Sequence, residues 1–226
     1  MLGAGVSAAG TTYTDCSNIG TAAFYWNGDH ASGTTYGCKT SSTSLNGSIA
    51  GVKHTITDPP TPSPGSGGKA LKLLATGTTD DYLAFAITAG DIFSSAEGLI
   101  TFNVYLGAST GDNKVIRFRS DANNDIVGHM TSAGVVTFVH LGASSSVGIV
   151  GGDAIADTTW TNVQIRWSVT NNKVSVKVGA NDWDDDVDAD TVTAFATEPT
   201  SIRFGFNTIT DDVYIDDIFI WKASGI

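Results

Sequence analysis

The sequence predicts an all-β protein, two antiparallel sheets stacked as a sandwich. Three observations carry this expectation. Helix formers are scarce, with Glu only at positions 97 and 198 of 226 residues. Glycine is abundant, at 26 residues, and Ser and Thr are frequent, which suits short strands joined by tight turns. From residue 69 onward, runs rich in β-branched and aromatic residues recur, several with a two-residue apolar period, bounded by Gly, Asn and Asp. All-β folds often reach this length as one domain.

Taken in order, residues 1–47 are irregular apart from the apolar knot Phe24-Tyr25-Trp26, expected as a short strand before the turn Asn27-Gly28-Asp29. Ser48–Thr57 reads as a strand. Asp58–Gly68, DPPTPSPGSGG, is the most linker-like stretch, since proline blocks ladder hydrogen bonds and glycine loosens the backbone. The first 57 residues hold too few apolar side chains for a core of their own. Residues 1–67 are therefore expected to be an arm and first strands of the same domain, and 68–226 its body.

The regular β pattern then predicts strands at Ala70–Ala75, Tyr82–Thr88, Leu99–Leu106, Lys114–Ser120, Asp125–Met130, Val135–Leu141, Thr161–Thr170, Lys173–Gly179, Ile202–Phe206 and Val213–Trp221. Gly90–Gly98 is expected to form a helical turn. Ser132-Ala133-Gly134 and Thr170-Asn171-Asn172 read as hairpin turns. The second joins Val163, Ile165, Trp167 and Val169 to Val174, Val176 and Val178. The opposite face of that hairpin carries Gln164, Arg166, Ser168, Lys173, Ser175 and Lys177, one side dry and one wet. In Val213–Trp221 the period places Val213, Ile215, Phe219 and Trp221 on one face, with Ile218 and Ile220 loading the other. That pattern predicts a central strand buried on both sides. Asp216-Asp217 inside it is an anomaly, because carboxylates are rarely buried without partners.

Charge narrows the partners. Twelve Lys and Arg against 23 Asp and Glu give a net charge of -11, which opposes binding to nucleic-acid phosphates. No apolar run is long enough to span a membrane. The stretch MLGAGVSAAGTTYTDC lacks the basic start and sustained apolar core of a signal peptide. Cys16 and Cys38 either remain thiols or close a loop of about 22 residues, worth about 3 kcal/mol in the chain-entropy view. Their Gly/Ser/Thr-rich setting, poor in core residues, favours the disulfide.

Gly68-Lys69-Ala70-Leu71-Lys72-Leu73 followed by Asp80-Asp81-Tyr82-Leu83 resembles the opening of laminin-G-like jelly rolls, members of the concanavalin A-like lectin and glucanase superfamily. Trp160–Trp167 (WTNVQIRW), the hairpin after it and Val213–Ile218 (VYIDDI) match that group's order of features, so the resemblance covers roughly 68–222. It implies a two-sheet jelly roll. Many members bind glycans on the concave face or rim loops, and many hold calcium. The group also includes hydrolases, lyases and non-catalytic modules of cell surfaces and virions, so fold alone selects no function.

Catalytic motifs are missing. The group's glucanases carry a Glu-x-Asp-x-x-Glu strand and its lyases a Gln-x-His strand; neither occurs here, and no nucleophile elbow or zinc spacing appears. His129 and His140 fall on adjacent predicted strands, where a surface or core pair is the simpler reading. The expectation is a non-enzyme. Calcium is the expected metal: Asp182, Asp184, Asp186, Asp188 and Asp190 recur at every second residue in NDWDDDVDAD, a dense set of hard oxygen ligands, with a solvated acidic loop as the alternative. The resemblance implies a second calcium site at Asp216 and Asp217, with Asp29 as a partner; a bulge or a bond to a backbone N–H is the alternative. For glycans, Arg117, Arg119 and Arg166 lie in predicted strands and suit carboxylate or sulfate, while Trp183 and Tyr36 sit in polar loops where they can stack on sugars. Pairing of those arginines with nearby Asp, and a Trp183 that caps a core, is the plainer alternative. The leading expectation is a non-catalytic carbohydrate-binding module at an extracellular or virion surface, its partners glycans or neighbouring subunits. The alternative is a virion structural protein, a capsid decoration or tail component, with a hydrolase or lyase third.

Overall fold

The computed structural model describes residues 24–26, 38–39, 47–50, 55–64, 68–73, 82–86, 97–108, 111, 113–121, 124–131, 133–141, 146–168, 173–185, 199–205 and 211–222. Among them every regular element is a strand. In chain order these are β1 (Phe24–Trp26), β2 (Cys38–Lys39), β3 (Gly47–Ala50), β4 (Thr55–Thr57), β5 (Ala70–Leu73), β6 (Tyr82–Ala86), β7 (Glu97–Leu106) and β8 (Asn113–Asp121). They continue with β9 (Asn124–Met130), β10 (Val135–Leu141), β11 (Ser146–Ala154), β12 (Trp160–Ser168), β13 (Lys173–Val178), β14 (Asp184–Asp185), β15 (Ser201–Phe204) and β16 (Val213–Lys222).

Two antiparallel sheets result. Sheet A runs β14-β13-β12-β7-β16-β1-β2, with β5 also on β16 and β4 on β5; sheet B runs β11-β10-β9-β8-β15-β6-β3. The fold is thus the expected all-β sandwich. Alternation explains it residue by residue. Ile100, Phe102, Val104 and Leu106 of β7, Val163, Ile165 and Trp167 of β12, and Val176 and Val178 of β13 point inward from sheet A. Ile116 and Phe118 of β8 and Ile202 and Phe204 of β15 answer from sheet B. Aromatic pairs span the two layers: Phe102 meets Phe204 edge-on at 5.1 Å, and Phe118 meets Trp167 at 5.2 Å.

Several expectations need correction. Ser48–Thr57 is two strands in different sheets, β3 on β6 and β4 on β5. Glu97 and Gly98 open β7 opposite Ser168 and Trp167, in place of the end of a helical turn; residues 91–96 of that turn lie outside the described residues. Gly98 has a physical reason: a Cβ there would stand 2.2 Å from the indole of Trp167. The Gly-rich strand β11 was not anticipated. Ser132 of the expected turn lies outside the described residues; Gly134, at φ 75°, donates its N–H to Thr131 O. His129 pairs with Thr137 and His140 with Ile126, three rungs apart along the β9–β10 ladder.

The largest correction is in β16. Asp216 stands opposite Asn103, yet Phe219 stands opposite Thr101, so the strand carries one extra residue. Asp217, at φ 49°, takes the left-handed conformation of a bulge. The bulge resets the phase of the strand. Val213, Ile215, Ile218 and Ile220 all enter the core, and Phe219 is left only half-buried. The simple period, which grouped Phe219 and Trp221 with Val213 and Ile215, fails at this bulge.

Candidate functional site

The outer face of sheet A concentrates the polar and aromatic side chains. Register assembles them in rows. Tyr214, Tyr105 and Trp160 are opposite one another on β16, β7 and β12. Next come Asp216, Asn103 and Asn162, then Phe219, Thr101, Gln164 and Lys177. Arg166 follows opposite Leu99 on one side and Ser175 on the other.

The middle rows form a hydrogen-bond chain. Gln164 Nε2 donates to Asn162 Oδ1 at 3.2 Å, and Asn162 Nδ2 donates to Asn103 Oδ1 at 3.1 Å. Asn103 Nδ2 donates to Asp217 Oδ2 at 3.0 Å. Each amide passes its dipole toward the carboxylate, an alignment in which successive bonds polarise one another. Asp217 is only 4% exposed. Its oxygen also accepts from Ser63 Oγ at 3.0 Å, across 154 residues of chain.

That last bond explains the Pro-rich stretch. Residues 58–64 lie across sheet A as a strap held at three points. Ser63 binds Asp217; Thr61 O accepts the indole N–H of Trp160 at 2.8 Å; and Lys69 pairs with Asp58 at 2.8 Å near its ends. Beside the strap, Tyr105 packs against Tyr214 at 5.9 Å and Trp160 at 5.7 Å, with Ala70 buried among them. Lys72 sits 5.3 Å over the Tyr214 ring and bonds Asp212 at 2.8 Å. The hydrogen bond to Asp212 raises the Lys72 ammonium above its ordinary value, burial opposing it.

At the far end of β12, the Arg166 guanidinium carbon sits over the Trp183 ring, 4.5 Å from its centroid. Two of the sequence-derived glycan candidates are therefore brought together. The other arginines are elsewhere. Arg117 and Arg119 are on β8 of sheet B, alternating with core residues Ile116 and Phe118, so they share no groove with Arg166. Arg117 is buried at 6% exposure opposite Arg203, and Arg119 stands opposite Ser201 and Asp125. Tyr36 lies outside the described residues.

The metal candidates fare differently. Asp182 is exposed in the turn after β13, and Asp184 is in β14 with its backbone opposite Val176. Asp186, Asp188, Asp190 and Asp29 lie outside the described residues. Among the described residues no three His, Cys, Asp or Glu side chains gather as a metal site. At the second expected site, Asp216 is buried and Asp217 accepts hydrogen bonds from Ser63 Oγ and Asn103 Nδ2. Cys38 lies in β2 opposite Tyr25, while Cys16 and any bond between the two lie outside the described residues. Sequence reasoning passed over Trp160, Asn162, Asn103 and Ser63. The even-numbered parity of β12 was the available signal for Trp160 and Asn162; the contacts of Ser63 left none.

No family model and no curated protein sequence matches this chain. Solved structures do match in fold. The chain is similar to the binding domain of botulinum neurotoxin DC in complex with SialylT, with a TM-score of 0.61, 13% identity, and coverage of 89% of this chain and 48% of that one. The same domain in complex with rat synaptotagmin II gives a TM-score of 0.58 at 14% identity, over 89% and 48%. The binding domain of botulinum neurotoxin serotype C1 gives 0.60 at 13%, over 89% and 48%. The chain thus spans about half the length of the solved chains it matches. At these identities the likeness is one of fold, an antiparallel β-sandwich. Among the described residues no helix is long and apolar enough to cross a membrane.

Proposed function

We propose that this chain is a non-catalytic, glycan-binding β-sandwich module that acts outside the cell. The stacked pair Arg166–Trp183 on the outer face of sheet A carries the reading. A half-buried indole beside a guanidinium offers apolar surface for a sugar ring, and Gln164 and Asn162 further along the same face of β12 offer polar groups for hydroxyls. The similar solved structures are binding domains, one bound to SialylT and another to synaptotagmin II, which favours binding over bond cleavage. The jelly-roll kinship drawn from residues 68–222 points the same way. No contact described above favours the virion reading.

A glycan array probed with the whole chain tests the proposal. Binding is expected to at least one class of glycan. Trp183→Ala is expected to weaken it about tenfold, a loss of the size that one cation–π and stacking platform supplies. The thermal midpoint should stay near that of the parent. A blank array, or depolymerisation of any polysaccharide by the pure protein, overturns the reading.

A further inference from the structure

Building on the glycan-binding reading, we infer that the ligand is a neutral glycan, recognised through its hydroxyl hydrogens, and that carboxylated and sulfated sugars are excluded. The direction of the amide chain carries the inference. Asp217 Oδ2 accepts from both Ser63 Oγ and Asn103 Nδ2. With Nδ2 turned to the carboxylate, Asn103 presents Oδ1 to Asn162. Asn162 answers with Nδ2 and so presents Oδ1 to Gln164, which donates from Nε2. An amide has one donor end and one acceptor end, so the acceptor at Asp217 sets the whole row. Its head is the carbonyl Oε1 of Gln164, a half-buried side chain on the proposed binding face. Amides that donate toward a negative charge become stronger acceptors at their own oxygens. Asn162 Nδ2 meanwhile gives its hydrogens to Asn103 Oδ1 and Phe102 O. What this stretch of β12 holds for a ligand is acceptor capacity, which takes a hydroxyl hydrogen and repels an anion.

The charges around the row agree. Arg166, two residues along the same face and ~7 Å away by the rise of a strand, is already engaged: it sits over Trp183 and has a further partner. Lys177 stands opposite Gln164, and Lys173 is two rows on, opposite Ser168. Against these bases stand Glu97, also opposite Ser168, exposed Asp182, and Asp184 and Asp185 of β14, with Asp185 in the row of Arg166 beyond Ser175. At this end of the face the described acids outnumber the described bases, and the chain as a whole carries -11. An anionic sugar approaches such a surface against the field, whereas a neutral one is indifferent to it. Trp183 supplies apolar surface to either.

The test uses the whole chain on an array of matched glycans, each neutral structure beside its sialylated, sulfated or uronate counterpart, with amine-bearing sugars as a third set. Isothermal calorimetry then follows the pair that gives the strongest signal. The neutral member is expected to bind about tenfold more tightly at low salt. Its affinity should not change with salt, while that of the acidic member should rise as salt screens the repulsion. Gln164→Met keeps the shape of the side chain and removes the acceptor; it should weaken the neutral member about fivefold, with the thermal midpoint near that of the parent. Asp217→Asn removes the charge that sets the row and should shrink the neutral-over-acidic ratio about threefold. Acidic members that bind as tightly as neutral ones, or neutral binding untouched by Gln164→Met, or a ratio untouched by Asp217→Asn, overturns this inference while glycan binding itself stands. Preference for amine-bearing sugars that vanishes at high salt overturns it as well, since carboxylates would then be the recognising groups. A blank array overturns both readings.

Discussion

At the scale of single residues, Asp217 couples conformation to chemistry. Only Gly, Asn and Asp enter the left-handed region at small cost, and only a carboxylate gives Ser63 and Asn103 a charged acceptor there. Asp217→Ala should destabilise the protein by about 3 kcal/mol, because a buried and a half-buried donor lose their acceptor and alanine is strained at that backbone angle. Asp217→Asn keeps the backbone and one acceptor oxygen and should cost about 1 kcal/mol. Urea unfolding of the two variants measures both; equal costs would mean that the backbone angle alone matters. Lys72 gives a pH dependence of definite sign. Its pKa in the folded protein lies above the ordinary lysine value of 10.5, so its bond to Asp212 contributes fully below that pH and fades as pH rises through the folded value. The thermal midpoint of the parent minus that of Lys72→Met should be constant up to about pH 10 and shrink above it. A difference that grows with pH would reverse the assignment.

At the scale of elements, the strap and the bulge are one device. The bulge turns Asp217 away from the pleat, and the strap closes over it through Ser63. Ser63→Ala removes one buried hydrogen bond, worth about 1 kcal/mol. Its effect should be local: faster proteolytic nicking within 58–68, with the thermal midpoint little changed. An unchanged nicking rate would show that the Trp160 and Lys69 contacts hold the strap alone. Legibility in the sequence follows the same division. The pairing of β12 with β13 was legible because alternation survives in the letters, although β12 runs from Trp160 to Ser168 instead of Thr161 to Thr170, and residues 169–172, the expected turn among them, lie outside the described residues. β11, SVGIVGGDA, was not, since its three glycines carry no side chain to show a period. In β16 the period was visible but misphased, because a one-residue bulge leaves no mark on composition.

At the scale of the molecule, the two-layer architecture was legible from scarce helix formers and repeated short apolar runs, and the similar solved structures share it. The proposed binding face was legible only in part. Trp183 and Arg166 stood out as an aromatic and a base in polar settings, but nothing local joins them, and residues 63 and 217 are brought together only by the closed fold. The four arginines looked like one resource when read along the chain. The sandwich divides them, with Arg166 on one sheet and Arg117, Arg119 and Arg203 on the other.

The position of β16 in the order of strands has a consequence for how the chain acquires its shape. It pairs with β7, β5 and β1, which precede it by more than a hundred residues, and it supplies four isoleucine and valine side chains to the core. Until it is synthesised, sheet A lacks the member that joins its halves, and a nascent chain on the ribosome carries two unfinished ribbons with open edges. Assembly must therefore be late, non-local and slow, and a growing polypeptide of this kind has reason to be shielded from its neighbours in the meantime.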